Sequence, residues 1–238
     1  AAVYRQVERY IAEAWQAAKA DERNAVGFVM TIYRRRLASS FAALRRTLEA
    51  RRTSLHDEGT ARLPLLAEDV EAEDEAEEPL DLDEAAELER RALALEEGGA
   101  IEDLLAAVRA LPLDSKAGRL LDVIRELRAS GHRQVIVFTQ YTDTMDFLRG
   151  LVAERLGLGV ICFSGRGGEL YQRDGSSTPL TRERTKELFR EGRAEVMLCT
   201  DAAAEGLNFQ FCGALVNYDM PWNPMRVEQR IGRIDRLG

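Results

Sequence analysis

The chain has 238 residues, 45% hydrophobic and 31% charged, enough for one or two domains with a buried core. No run approaches the roughly 18 apolar residues that span a bilayer, no signal-peptide pattern opens the sequence, and three cysteines and two histidines are too few and too scattered for a disulfide framework or a His-based metal centre. A net charge of −8 hides an asymmetry, +5 over residues 1–66, −13 over 67–100 and zero over 101–238, and a reducing, cytoplasmic compartment is the simplest setting for such a chain.

Residues 1–66 read as a helical subdomain. Val3, Val7, Tyr10, Ile11 and Ala14 recur at helical spacing, and Phe28, Ile32, Leu37, Phe41, Leu44 and Leu48 do so again. Asn24-Ala25-Val26-Gly27 is expected to break the chain between these two helices. The second is strongly basic, with Arg34, Arg35, Arg36, Arg45, Arg46, Arg51 and Arg52. Two readings are open: a surface that faces nucleic-acid phosphates, or a solvated face and contacts to neighbouring segments.

Residues 67–100 form an acidic, low-complexity insertion in which like charges repel, so it is expected to be partly disordered. It is read as a surface insertion; an autoinhibitory mimic of DNA against the basic helices is the alternative. Asp83-Glu84-Ala85-Ala86 imitates an acidic box. The preceding Pro79-Leu80-Asp81-Leu82 is not the buried apolar strand that such a box needs to aim a carboxylate at magnesium.

From 101 to 238 strands and helices alternate. Ser115 can cap a helix with the apolar stripe Leu120, Leu121, Ile124 and Leu127, ended by Gly131. Gln134–Phe138 is a short apolar run typical of a strand buried on both faces. A helix from about Thr144, a strand at Val160–Phe163, a glycine-rich loop from Ser164 to Thr178 and a helix from Thr181 follow. Val196–Cys199 and Ala214–Tyr218 are two further strands, with Cys162 and Cys199 as core thiols. This rhythm predicts an α/β fold, a mostly parallel sheet covered by helices and preceded by the helical subdomain. Ligands of such sheets collect at the carboxyl ends of the strands, which marks the loops from Thr139, Ser164, Thr200 and Asp219.

The last ten residues, Gln229-Arg230-Ile231-Gly232-Arg233-Ile234-Asp235-Arg236-Leu237-Gly238, carry three arginines at helical spacing. Positions 229, 233 and 236 share one face. Guanidiniums donate bidentately to phosphate, and a row of them at an interface can serve as arginine fingers on a nucleotide γ-phosphate. Arg230 is rotated by about 100° from Gln229 and reads as a salt-bridge or packing residue.

Taken in order, Phe138-Thr139-Gln140, Ser164-Gly165, Thr200-Asp201-Ala202-Ala203-Ala204-Glu205-Gly206-Leu207-Asn208-Phe209-Gln210, Tyr218-Asp219-Met220-Pro221-Trp222-Asn223-Pro224 and Gln229 to Arg236 resemble the second RecA-like lobe of helicase superfamily 2. The closest likeness is to the SWI/SNF-type double-stranded DNA translocases. The Glu205–Gln210 wording is most similar to the bacterial branch that holds an RNA-polymerase-associated recycling ATPase and phage-defence translocases. The likeness is strong over residues 114–238 and weaker over Ile32–Leu48.

The resemblance implies Arg233 and Arg236 as arginine fingers on ATP, with Gln229, Gly206 and Asn208 on the nucleotide side. It implies Thr200, Ser164 and Gly165 as phosphate contacts on the tracking strand, with Gln140 beside them. Trp222 is a DNA-side or lobe-packing aromatic, or else a core tryptophan that anchors its loop. The sequence holds no Gly-x-x-x-x-Gly-Lys-Ser/Thr loop and no credible acidic box. The family carries both on a first lobe, which is expected to precede Ala1 and to supply most contacts to ATP and Mg2+. The partners implied are duplex DNA, that N-terminal RecA-like lobe, and RNA polymerase or a defence complex; no membrane is expected. Alone, the chain is expected to be inactive. The alternatives are a lobe of an RNA or single-strand helicase, and a non-catalytic module that docks on RNA polymerase or another partner.

Overall fold

In a computed structural model, residues 2–17, 23–56, 98–111, 114–201, 208–221 and 223–234 are described. The acidic segment from 67 to 97, with its box-like Asp83–Ala86, lies outside them. The chain divides into two units, 1–114 and 115–238.

The first unit is helical. Its elements are α1 (Ala2–Ala17), α2 (Arg23–Ser39), α3 (Phe41–His56) and α4 (Gly98–Arg109). Asn24–Gly27 lies inside α2 and is not a break. The second basic helix is interrupted instead at Ser40, whose hydroxyl accepts the Ala43 N–H (3.0 Å) and caps α3. One core joins Val7 of α1, Met30, Tyr33 and Leu37 of α2, Leu44 and Leu48 of α3, and Ile101, Leu104 and Leu105 of α4. The helix at 98–109 therefore belongs with the first unit, so the α/β unit starts at Ser115 rather than at 101.

Much of the basic surface is used internally. Arg34 pairs with Glu8 (2.9 Å), Arg109 with Glu49 (3.0 Å) and Arg52 with Glu102 (3.5 Å). Such exposed pairs contribute at most about 1 kcal/mol each. Arg36 and Arg51 are buried, which removes both from any phosphate-facing surface.

The second unit is a sheet with helices on both faces. In chain order it comprises α5 (Ser115–Ala129), β1 (Val135–Phe138), α6 (Thr142–Leu156), β2 (Val160–Ser164), β3 (Gly167–Tyr171), β4 (Ser177–Leu180), α7 (Arg182–Arg190), β5 (Val196–Cys199), β6 (Leu215–Asn217) and α8 (Pro224–Ile234). The sheet order is β4-β3-β2-β5-β1-β6. The pairs β2–β5, β5–β1 and β1–β6 are parallel. Alternation sorts each strand between two cores. Val135 and Val137 join Leu120, Ile124, Leu148 and Val152 under α5 and α6, while Ile136 and Phe138 join Leu188, Phe189 and Phe209 on the α7 side. Fully apolar strands are what a sheet covered on both faces requires.

Local signals bound the helices. Gly157 closes α6 in the left-handed conformation at φ +64°, and the Thr181 side chain accepts the Arg184 N–H (3.2 Å) at the start of α7. The stretch from Ser164 to Thr178, expected as a loop, is largely an antiparallel hairpin. Residues 167–171 pair back on β2, and β4 pairs on β3. Its glycines serve close approach rather than looseness. A Cβ on Gly168 would meet the Thr185 hydroxyl of α7 at 1.9 Å and the Leu180 carbonyl oxygen at 3.1 Å. Thr185 is fully buried and its hydroxyl is bonded to the Thr181 carbonyl (2.8 Å), so it has nowhere to turn.

Gly168→Ala is accordingly expected to destabilise the second unit by about 1–3 kcal/mol, the usual cost of overpacking. Urea unfolding of the single variant checks this, and the double variant Gly168→Ala with Thr185→Ala should recover part of the loss.

Candidate ATP and nucleic-acid site at the strand ends

The parallel register sets the carboxyl ends of the strands side by side. Phe138 pairs with both Cys199 and Asn217, and Phe163 with Cys199. Thr139-Gln140, Ser164-Gly165, Thr200-Asp201 and Tyr218-Asp219 thus emerge along one edge of the sheet. Backbone bonds tighten the row: Thr139 N–H to the Cys199 carbonyl (3.1 Å), Thr200 N–H to the Phe163 carbonyl (3.1 Å) and Tyr218 N–H to the Phe138 carbonyl (2.9 Å).

Two carboxylates organise this edge. Asp219, 5% exposed, accepts from the Thr139 hydroxyl (2.7 Å) and the Gln140 backbone N–H (3.0 Å) at one oxygen, and from the Lys116 ammonium (2.6 Å) at the other. Lys116 lies 4.2 Å from the centre of the Tyr218 ring, a cation–π contact that fixes the same strand end. Asp201 receives Arg230. The Arg230 Nε–H and an Nη2–H donate side by side to its two oxygens, the former at 2.6 Å. Arg230 Nη1 donates to Asn217 Oδ1 (2.8 Å) and to the Asp219 carbonyl oxygen (2.7 Å), and the guanidinium carbon lies 5.0 Å from the centre of the Phe138 ring. At 2% exposure this arginine is inside the protein, paired and hydrogen-bonded as a buried cation must be.

That clamp orients α8. With Arg230 turned into the sheet end, Gln229 is exposed and Arg233 half-buried. Among the described residues no acceptor or carboxylate lies within bonding reach of the Arg233 guanidinium, in contrast to Arg230. The carbonyl of Arg233 accepts the Phe209 N–H (2.8 Å), which brings the turn carrying Asn208 against the end of α8. That turn is seated by edge-to-face contacts of Phe209 and Phe211 with Phe189, at 6.4 and 5.8 Å. Asn208 is exposed, and its side chain holds Gln210 through two bonds (3.0 and 3.1 Å).

The remaining candidates divide. Thr200 and Ser164 are buried at the edge and Gly165 is exposed; the Ser164 hydroxyl accepts the Arg166 N–H (3.2 Å). Gln140 is half-buried. Gly206, Trp222 and Arg236 lie outside the described residues. Burial pushes the thiols of Cys162, Cys199 and Cys212 up, with Glu169 adding to the shift at Cys162 and Asp201 at Cys199, so these cysteines are packing groups and not nucleophiles.

Residues 115–238 match the helicase conserved C-terminal domain. The chain belongs to that family. Among curated relatives of this helicase domain, an uncharacterized ATP-dependent helicase of Bacillus subtilis, YqhH, is 38% identical over 150 residues, 63% of this chain and 24% of YqhH. The RNA polymerase-associated protein RapA of Vibrio campbellii is 35% identical over 125 residues, 52% of this chain and 12% of RapA. The chain therefore spans about a quarter or less of these relatives. The helicase domain of Pyrococcus furiosus Hef aligns in space over 90% of this chain and 36% of its own, with a TM-score of 0.46 and 20% identity.

Sequence reasoning alone does not reach the charge partners of the helicase C-terminal domain. Lys116 stands 103 residues from Asp219, and no local pattern links them. Asp201 was open to recognition, because an arginine turned to the inner face of α8 requires a carboxylate and Asp201 stands at the carboxyl end of β5.

Arg230→Ala is expected to cost about 3 kcal/mol, the low end for breaking a buried ion pair, since Asp201 keeps 23% exposure. Arg230→Lys should rescue little of it, because an ammonium cannot reproduce the fork. Chemical denaturation measures both.

Proposed function

We propose that this chain supplies the second RecA-like lobe of an ATP-dependent motor that translocates on double-stranded DNA. In this reading Arg233 and Arg236 reach the γ-phosphate of ATP, with Gln229, Gly206 and Asn208 on the nucleotide side of the lobe. Thr200, Ser164, Gly165 and Gln140 contact backbone phosphates of the tracking strand, and Trp222 stands by the loop that follows β6. A first lobe, of the kind that carries a phosphate loop and an acidic box, holds most of the nucleotide and the Mg2+. The motor works in the cytoplasm, and RNA polymerase, the partner in RapA's name, is a candidate assembly for it.

The observation that carries this reading is the clamp at Arg230. It spends one arginine of the motif on the fold and leaves Gln229 and Arg233 on the outer part of α8. An arginine that meets no anionic partner among the described residues is suited to a group that brings the anion. When bound, ATP supplies a terminal phosphoryl group on which charge shifts during transfer. The residues of this chain then act by position: the α8 guanidiniums offer fixed donors to that charge, and the strand-end loops hold the lobe to DNA without reading its sequence. Asn208 and Arg233 flank the same backbone bond at Phe209, so a shift of α8 toward phosphate would be felt in the loop after β5.

Arg233→Ala in the full-length protein is expected to reduce ATP turnover by about 10³-fold while duplex binding persists, the low end for an arginine finger. A loss below tenfold, measured as phosphate release with saturating duplex, reassigns Arg233 to structure. The 238-residue chain alone is expected to show negligible turnover with magnesium and ATP; turnover equal to that of the full-length protein would overturn the two-lobe scheme. Competition among duplex DNA, RNA and single strands separates this motor from an RNA or single-strand helicase.

A further inference from the structure

Lys116 is the second residue of α5, where the helix itself has little use for a cation. The first turn of a helix carries partial positive charge and disfavours ammonium groups, and the first turn of α5 holds no acidic residue to offset this. The side chain leaves α5 for the strand ends instead. Its Nζ donates to Asp219 Oδ1 (2.6 Å) and lies 4.2 Å from the centre of the Tyr218 ring.

Asp219 faces two ways. Its other oxygen, Oδ2, accepts the Thr139 hydroxyl (2.7 Å) and the Gln140 backbone N–H (3.0 Å), both in the loop after β1. Its main-chain carbonyl accepts Arg230 Nη1 from α8 (2.7 Å). Carboxylate and carbonyl belong to one residue, so the loop that carries Gln140 and the helix that carries Arg233 meet at Asp219 with no group between them. A carboxylate held at one oxygen can still turn, because the torsion that carries it is soft. A charge-assisted bond from Lys116 at the opposite oxygen stops that rotation, and it pairs a carboxylate that is buried.

We propose that Lys116 is a positioning residue for duplex-stimulated ATP turnover: through Asp219 it locks the Gln140 loop to α8, so that engagement of DNA at the strand ends is transmitted to Arg233. The inference rests on the reading of this lobe as a DNA translocase. Lys116 itself touches neither nucleotide nor DNA in this scheme. Without its ammonium the Asp219 carboxylate turns, the Gln140 N–H loses a fixed acceptor, and loop and helix move independently. The effect falls on the coupling between the two sites and not on the affinity of either.

The test is ATP turnover of the full-length protein with and without saturating duplex, with thermal melting of each variant. Lys116→Met keeps an apolar stem against Tyr218 and removes the charge. It should lower the ratio of stimulated to unstimulated turnover by about tenfold, in the lower part of the range for coupling between sites, while the unstimulated rate and the KM for ATP stay within about twofold. Lys116→Arg, which can still donate to Asp219 and stack on Tyr218, should keep most of the ratio. Thr139→Val takes a donor from Oδ2 and should act in the same direction, and the double variant should lose less than the product of the two singles, because both act on one carboxylate. An unchanged ratio in Lys116→Met overturns the inference. So does an equal fall in both rates, which assigns Lys116 to the fold, or a loss in Lys116→Arg as large as in Lys116→Met, which shows that the charge is not what acts. Strictly multiplicative losses in the double variant overturn it as well. If Lys116→Met does not fold, Thr139→Val decides by the same ratio. If duplex does not stimulate the unaltered protein, the translocase reading itself fails, and this inference with it.

Discussion

A single guanidinium holds the functional edge together. Arg230 reaches from α8 to Asp201 after β5, Asn217 in β6 and the carbonyl of Asp219, with Phe138 of β1 beneath it. Three strands and a helix that share no local sequence are thereby set at fixed distances. The enclosed charge makes the arrangement discriminating. A cation this deeply buried is tolerated only when every donor has a partner, so displacement of the strand ends or of α8 strands a charge. Asp219 repeats the principle on the other side, gathering Thr139, Gln140 and Lys116.

This explains the division of labour along a motif that looks uniformly cationic. Arg230 and Arg233 stand only about 60° apart around an ideal helix, yet the clamp gives them different environments. One is enclosed and spent on architecture; the other is half-buried with no carboxylate partner among the described residues. The same economy runs through the helical unit. Arg36 and Arg51 are buried, and Arg34, Arg52 and Arg109 meet glutamates of other helices. A count of basic residues overstates the surface available for phosphate in both units.

The parallel centre of the sheet was legible because its strands are continuous apolar runs with polar residues at their carboxyl ends, as at Val135–Thr139 and Val196–Thr200. The salt-bridge role of Arg230 was legible from its rotation away from Gln229. The hairpin at 167–180 was not. Its strands are rich in glycine and polar residues, and Gly168, which reads as a flexible link, is demanded by the approach of Thr185. The split of the basic helix at Ser40 was masked by unbroken apolar spacing from Phe28 to Leu48; only a serine hydroxyl marks it. Helix 98–109 carries no sign of which unit it joins, because an apolar stripe states that a helix packs and not against what. The ion partners were hidden for a simpler reason: coulombic pairing has no period in sequence.

The strand order also has a consequence for how the lobe comes to exist. β2, β3 and β4 are consecutive and pair with their neighbours through short connections, so that ribbon can assemble locally. β1 has no such recourse: its two neighbours are β5 and β6, and Val135 must wait for Val196. Closing these distant pairings carries most of the loop-closure entropy and makes the centre of the sheet the slow part of folding. The Lys116–Asp219 bond, 103 residues apart, closes with it. A ribosome that has released only the first strands therefore exposes a half-built sheet, and the Arg230 clamp closes only once the last helix has docked.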